Sequence, residues 1–592
     1  EKTETAHPAS LGAETIFIQA RPRREDGVMT RPDLDLPELP TISVKTFNAQ
    51  GTETAPVVSP LNVERCELSV ERSFRSLRLN RVPTALFRDA HKRVFFEPRR
   101  STLALFERFN PAIKSLTGEW LPRIETSEKF SQNREALAAY HATLKPGDVT
   151  LIGLIAEGGQ GLATANNARF LGYLQGSPQA AGLTAKRDAW TRRWLADAPV
   201  KERFLELLKQ HGGNPARPLS DPAAWEACVE PLCESFDNAR LGFNRTGLYR
   251  IVPAALTVTE EDFAFAWQRR KQELWDLWRK APELQEFWAE TADLLTGSRA
   301  VNPKSKTVTD AAFCAVCQEA LRWLSARKAG KVNPRAILGL RSSEEYAEPA
   351  DAPRVASIYN GFSGRGVFAP FRKGDPEGNR WLDNDPLYID WSKDAVTWLF
   401  TNSGRRAPNM PVIRNPHSYF KQGIAFSRHG RSVALKFRLQ PPCVFDAASP
   451  RLTSVFPKIS TSVLLAILNA SISTFYIKKF LNNTWYEMSD LRQMPLVIPT
   501  RQQERQLKTL AELCLEAKRL SLDAKPATQE LAATARQWIG ELRAAAPQYL
   551  QPPAQTCTLQ APEDCLAVFE LAVNWHVEKL YGVEGLGPFD EV

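Results

Sequence analysis

The segment EEDFAFAWQRRKQELWDLWRKAPELQEFWAE, residues 260–290, constrains this chain more than any other. Phe263, Trp267, Trp275, Trp278 and Trp288 recur at spacings of three, four and near multiples of these, the period of one helix face. Side chains this large need other elements to cover them. Eight of the 15 tryptophans fall between residues 183 and 330: Trp190, Trp194, Trp225, Trp267, Trp275, Trp278, Trp288 and Trp323. They are read as helix-packing residues. The alternative, a base-stacking platform, usually sits on sheets or loops. The same region contains AKRDAWTRRWLADAPVKERFLELLKQHGG, helical in pattern and ending in a glycine pair suited to a helix stop.

Other elements follow from local pattern. ETIFIQA (14–20), VTLIGLIA (149–156) and MPLVIP (494–499) read as strands, the second fully buried. RVFFEP is a short β-like run. Residues 331–458 are turn-rich, with short strands at VFAPF, MPVIR, GIAFS, VALKF and CVFDA. Ser392 is placed to cap a helix over KDAVTWLFTN, with Asp394 in its first turn. Residues 461–481 predict one buried helix. Amphipathic helices follow near 502–522 and 527–545, with Leu507, Leu510, Cys514 and Ala517 on one face of the first. A last helix is expected from Cys565 to Tyr581.

With 592 residues the chain is long enough for several domains. The fold class expected is mixed α/β (α+β). Nine scattered cysteines and no secretory signal favour a reducing cytoplasm. Cys314 and Cys317 form one CxxC; without a second pair they read as two thiols on one helix face, not a zinc ribbon. No run is apolar enough to predict a membrane span. The chain begins at Glu1 without a methionine, as a fragment of a longer polypeptide would.

Charge is unevenly placed. Residues 322–451 hold 21 Lys and Arg against 11 Asp and Glu, a net of +10 in a chain of +9 overall. Within them lies GVFAPFRKGDPEGNRWLDNDPLYIDWS (366–392), where aromatics, turn formers and Arg372, Lys373 and Arg380 alternate. It reads as a recognition loop: aromatics pin it, turn residues fold it, and the cations face DNA. Trp381 and Trp391 read as packing residues. Arginine offers paired donors to phosphate or guanine, and asparagine a donor and acceptor to adenine. The expected DNA contacts are Arg365, Arg372, Lys373, Asn379 and Arg380. Arg414, Asn415, Tyr419 and Lys421 are added from NPHSYFKQ, and Asn482 and Asn483 from LNNTWYE.

Chemistry-bearing motifs are scarce. EGGQGLATANNARFLGYL (157–174) has the order of a nucleotide loop, but its spacing fits neither GxGxxG nor the P-loop. A strand-to-helix turn capped by Thr164 or Asn166 is the simpler reading. His91, His141, His211, His417, His429 and His576 are isolated, so no metal site is expected. No GxSxG is present, and no self-contained catalytic constellation is found.

GLATANNARF, with Gly161, Thr164, Asn167 and Phe170, resembles the element that opens the target-recognition region of PglX-type adenine-specific DNA methyltransferases. FRKGDPEGNRW, PLYIDWS, MPVIRNPHSYFKQGIAFS, LLAILNASISTFYIKKFLNNTWYEMSDLRQMPLVIPT and LAVFELAVNWHVEKLYGVE continue the resemblance in the family's order, across residues 140–585. Proteins of this type act in bacterial phage defence, in BREX- and DISARM-like systems, and in fused restriction–modification enzymes. The resemblance implies methyl transfer from S-adenosylmethionine to a flipped adenine. An Asn-Pro-Pro-Tyr-type motif would hold that base. Here Asn110–Pro111, Asn214–Pro215, Asn302–Pro303, Asn333–Pro334 and Asn415–Pro416 all lack the continuation, and Gln440-Pro441-Pro442-Cys443 has the wrong ends.

The expectation is therefore the target-recognition half of such an enzyme, with catalysis and cofactor supplied outside this chain and the chain alone inactive. Residues 1–140 would be the trailing part of a catalytic domain and a connector, 141–330 a helical spacer, 331–500 the recognition domain and 501–592 a helical end. Double-stranded DNA, a methyltransferase domain and other phage-defence subunits are the expected partners. A stand-alone specificity subunit and a non-catalytic scaffold are the alternatives.

Overall fold

The computed structural model describes residues 100–124, 133–242, 249–291, 301–327, 333–375, 378–385, 387–407, 410–426, 435–481, 487–550, 558–584, 586 and 589. Before residue 100 it describes four strands. The chain divides into two compact units, Glu1–Asn110 and Pro111–Val592. In the first, Glu14–Gln19 pairs antiparallel with Arg78–Pro83, and Thr46–Phe47 with Glu53–Thr54. ETIFIQA is thus a strand, whereas RVFFEP lies outside the described residues. Arg100–Glu119 is helical.

The second unit mixes helix and sheet, an α+β arrangement. Its strands are β1 (Val149–Leu151), β2 (Ala156–Gly159), β3 (Leu171–Leu174), β4 (Arg250–Val252), β5 (Phe368–Arg372), β6 (Leu387–Asp390), β7 (Gly423–Phe426), β8 (Phe437–Gln440), β9 (Val444–Phe445), β10 (Arg451–Ser454) and β11 (Pro495–Val497). One five-stranded sheet has the order β9-β5-β6-β3-β4, with β9–β5 and β3–β4 parallel. A four-stranded antiparallel sheet has the order β8-β7-β10-β2, and β1 pairs with β11. Strands from before and after residue 330 therefore share every one of these sheets.

The helices used below are α1 (Arg134–Thr143), α2 (Pro178–Ala196), α3 (Ala198–Gln210), α4 (Pro222–Ser235), α5 (Glu260–Lys280), α6 (Asp310–Ala326), α7 (Ala352–Asn360), α8 (Lys393–Asn402), α9 (Thr461–Asn469), α10 (Ser471–Tyr476), α11 (Arg501–Leu522), α12 (Gln529–Ala545) and α13 (Pro562–Tyr581). Ser392 caps α8, its Oγ accepting from Ala395 N–H, as expected.

The tryptophan pattern is a packing pattern. On α5, Trp267, Trp275 and Trp278 are fully buried. Trp278 stacks on Phe313 of α6 at 4.6 Å, and Trp275 meets Trp288 edge to face at 5.6 Å. Two of the three indole N–H groups find carbonyls: Trp278 donates to Leu338 and Trp275 to Ser305, each at 2.9 Å. Trp194 and Trp225 stack at 5.2 Å inside a separate core built from α2, α3 and α4. Cys314 and Cys317 are buried on α6, and burial pushes both thiols up to about 12, so they act as apolar filler.

Three long runs are broken. VTLIGLIA is not one strand: β1 and β2 belong to different sheets, and a helical turn at Ile152–Ile155 steps between them. Ile152 and Gly153 donate their N–H groups to Met494 and Arg492, which fixes that step. The helical run of 185–213 divides at Asp197, whose carboxylate caps α3 and takes a bidentate pair from Arg240. Residues 461–481 bend by 63° between α9 and α10. Asn469 causes the bend: its amide exchanges two hydrogen bonds with the backbone of Phe437 on β8, at 3.0 and 2.9 Å. Among the described residues no single helix is long and apolar enough to cross a membrane. The bent pair passes by length and composition, but it is buried inside the unit.

Of the remaining strand expectations, VFAPF, GIAFS and CVFDA form strands. MPVIR contributes only an isolated bridge from Val412 to Ala163. VALKF lies partly outside the described residues, with β8 beginning at Phe437.

Candidate nucleic-acid interface

The 366–392 stretch faces inward far more than its composition predicts. Trp381 and Trp391 are fully buried. Trp381 sits at φ +71°, a costly backbone state for a bulky residue, and its indole donates to Glu570 Oε1 of α13 at 2.7 Å. Trp391 donates to the Ser357 carbonyl of α7. Arg372 Nε pairs with Asp383 at 3.2 Å, and its Nη1 donates to the Asp385 carbonyl at 2.7 Å. Fully buried Arg438 closes on the other oxygen of Asp383 at 2.5 Å. Lys373 donates to the Tyr249 hydroxyl at 3.2 Å. Asn379 donates to Asp375 and accepts from Lys518. Arg380 lies 3.6 Å from Glu570.

The expectation that Arg372 faces DNA is corrected accordingly, and Lys373, Asn379 and Arg380 are drawn to partners within the unit. Each is half-buried and engaged by a partner inside the unit. A guanidinium held by a buried carboxylate gains little from a phosphate, since that carboxylate would be left uncompensated. Tyr419 is corrected too: its ring is buried against Trp391 and Phe445, and its hydroxyl donates to the Arg414 carbonyl. Asn482 and Asn483 lie outside the described residues. Arg365 is exposed.

The segment after α8 behaves differently. Arg405, Arg406 and Arg414 are exposed. Asn415 adopts φ +46°, and its Nδ2 donates to the Gln160 carbonyl at 2.8 Å, tying this segment to the end of β2. Asn415 is therefore a bracing residue. Beside it, Arg354 of α7 grips Asp351 through two 2.6 Å bonds and donates Nη1 to the carbonyls of His417 and Tyr419. Lys421 is half-buried; burial first, then the Arg354 and Arg451 guanidiniums, hold its ammonium below the usual range, against Glu157 and Asp351.

His417 reports the same field. Crowding by the surrounding chain, then Lys421, Arg354 and Arg134, hold its imidazole below the usual range, with Glu157 opposing. Beneath lies Arg451 of β10, fully buried, its guanidinium pushed down to about 10 by burial. Its Nε and Nη2 have no hydrogen-bond partner among the described residues. Arg134, Arg354, Lys421 and Arg451 thus share one neighbourhood with two acids, Glu157 and Asp351. Exposed Arg414, three residues before His417 in the same segment, adds a further positive charge.

The glycine-rich loop is part of this scaffold. Leu162 N–H donates to the Phe445 carbonyl at 2.8 Å, and Ala163 exchanges two bonds with Val412. Asn166, not Thr164, caps the single turn Asn167–Phe170, accepting from Arg169 N–H. Thr164 instead donates to Asn167 Oδ1 at 2.8 Å. A side chain at Gly161 would collide with the Phe445 carbonyl, so this position needs glycine. Phe170 is buried against Trp398 of α8, and Arg169 stacks over that indole at 4.1 Å. Gly161, Thr164, Asn167 and Phe170 therefore form a joint, and the amides of Leu162 and Ala163 that follow the glycines are taken by Phe445 and Val412.

Sequence pattern pointed to Arg414 and Lys421 but missed Arg134, Arg354, Arg451 and Glu157, which reach the site from separate elements. Among the described residues no group of three or more His, Cys, Asp or Glu side chains is placed to hold a metal ion. No family model matches the chain, and no curated protein matches it.

Proposed function

We propose that this chain binds double-stranded DNA, as the target-recognition half of a PglX-like, adenine-specific DNA methyltransferase of a phage-defence or restriction–modification system. The observation that carries the DNA-binding part is the convergence of Arg134, Arg354, Lys421 and Arg451 on two acids, Glu157 and Asp351, with Arg414 exposed alongside. A like-charged neighbourhood that costs stability in the free protein is relieved by a polyanion. The methyltransferase assignment rests on the ordered sequence resemblance alone.

S-adenosylmethionine belongs to the complete enzyme. The 158–161 loop does not fit it, because the amides that follow are taken up by Phe445 and Val412. No residue of this chain is assigned to the cofactor or to methyl transfer.

The test is equilibrium binding of the purified chain to duplex DNA over a series of salt concentrations. Strong salt dependence is the expected result. No binding at low salt would remove the reading and favour the scaffold. Methyl transfer from labelled cofactor by this chain alone would contradict the division of labour.

A further inference from the structure

A second basic site lies away from the cluster. An open cleft of about 620 Å³ forms where the turn before β1, the loop after β10 and the start of α11 meet. Its rigid walls include Pro146, Pro457 and Pro499. Three cations enter it, Lys458, Arg501 and Arg505, against one carboxylate, Glu504. Among the described residues no ion pair involves any of these four. Lys458 is positioned by the Leu144 carbonyl at 3.3 Å and by the Phe456 ring, and Arg505 Nε donates to the Arg501 carbonyl. Proline walls supply apolar contact and no N–H donors, so the cations provide the donors. That combination suits a sugar–phosphate backbone: apolar contact for the sugar, cations for the phosphate.

Helix α1 connects the two sites. Arg134, its first residue, belongs to the His417 cluster, and Leu144, its C-cap, holds Lys458 at the cleft. Ten helical residues span about 15 Å. The flank between carries small exposed side chains, Ala138, Ala139 and Ala142. Duplex DNA has a major groove about 12 Å wide between its phosphate ridges. We propose that the Lys458/Arg501/Arg505 cleft is a second phosphate-contact site for the same duplex, about one groove width from the Arg134/Arg354/Lys421 cluster.

This inference rests on the duplex-binding reading, and one experiment separates the two. Affinity of the full chain for a 24-base-pair duplex is measured at several salt concentrations. The variants are K458A/R501A/R505A and the charge-conserving K458R/R501K/R505K. All three side chains are exposed, so the thermal midpoint of either variant should match the wild type. The alanine variant should bind about tenfold or more weakly. Its log–log salt slope should be shallower by about 2 to 3. The charge-conserving variant should keep most of both. A wild-type chain that binds, with an alanine variant equal to it in affinity and slope, overturns the cleft and leaves the duplex reading intact. A wild-type chain that binds no duplex overturns both.

Discussion

Residues 366–392 and residues 405–421 carry three and four Lys and Arg, and both are turn-rich and hold aromatics, yet the fold uses them in opposite ways. In the first, Arg372 and Arg438 share Asp383, Arg380 lies beside Glu570, and Lys373 is held by Tyr249. In the second, Arg405, Arg406 and Arg414 are exposed, and Lys421 sits among like charges. The first is a latch between the five-stranded sheet and α13; the second is the surface with unbalanced charge. Net charge over 322–451 therefore says little about which cations are available, because residues 366–392 alone hold five Asp and Glu against three Lys and Arg. The position of the carboxylates decides it.

The comparison breaks first if the latch is dispensable. Arg438→Met removes a fully buried guanidinium from Asp383 and should destabilise the unit by about 3–5 kcal/mol, since a buried carboxylate loses its main partner. Denaturant unfolding reads this directly, and a change under about 1 kcal/mol would mean that the pair is incidental.

The second prediction sharpens the other side. R414E/K421E should lower duplex affinity by about a hundredfold, roughly 2.7 kcal/mol. A matching loss in R372A/R380A, at a temperature where that variant is still folded, would put the latch back on the interface.

Trp381→Phe keeps an aromatic ring, loses the five-membered half of the indole, and deletes the donor to Glu570. Hydrogen bonds to charged groups contribute about 1.5–3 kcal/mol, so a loss near the lower end is expected by thermal unfolding, with DNA affinity unchanged.

The smallest effect concerns pH. His417 is held below its usual range and is neutral at pH 7.5 in the free protein. A neighbouring phosphate favours the imidazolium, so protons are taken up on binding and affinity rises as pH falls. A gain of a few-fold between pH 7.5 and 5.5, about 1 kcal/mol or less, is expected, and His417→Gln should abolish it. An equal gain in the variant would assign the proton elsewhere.

Local signals were legible where local physics decides. The period of Phe263 to Trp288, the Ser392 cap, the buried face of α11 and the CxxC pair on α6 each depend on neighbours within a few residues. The breaks were not legible, because distant groups impose them: Met494 on Ile152, Phe437 on Asn469, Arg240 on Asp197. Charge pairing failed for the same reason. Arg380 and Glu570 are separated by most of the C-terminal half, and Lys373 and Tyr249 by 124 residues. Asp383 was the exception. It stands inside the quoted stretch, and its carboxylate was a signal that Arg372 had a partner at hand. The cation cluster draws on α1, α7, β10 and the 414–421 segment, so composition by window could not assemble it.

The most direct test of the account is the salt slope of duplex binding measured side by side for wild type, R414E/K421E and R372A/R380A. The account predicts a steep wild-type slope, a slope shallower by about 2 in R414E/K421E with unchanged thermal midpoint, and a wild-type slope in R372A/R380A with a lowered midpoint. A wild-type slope in R414E/K421E together with a shallow one in R372A/R380A would contradict it.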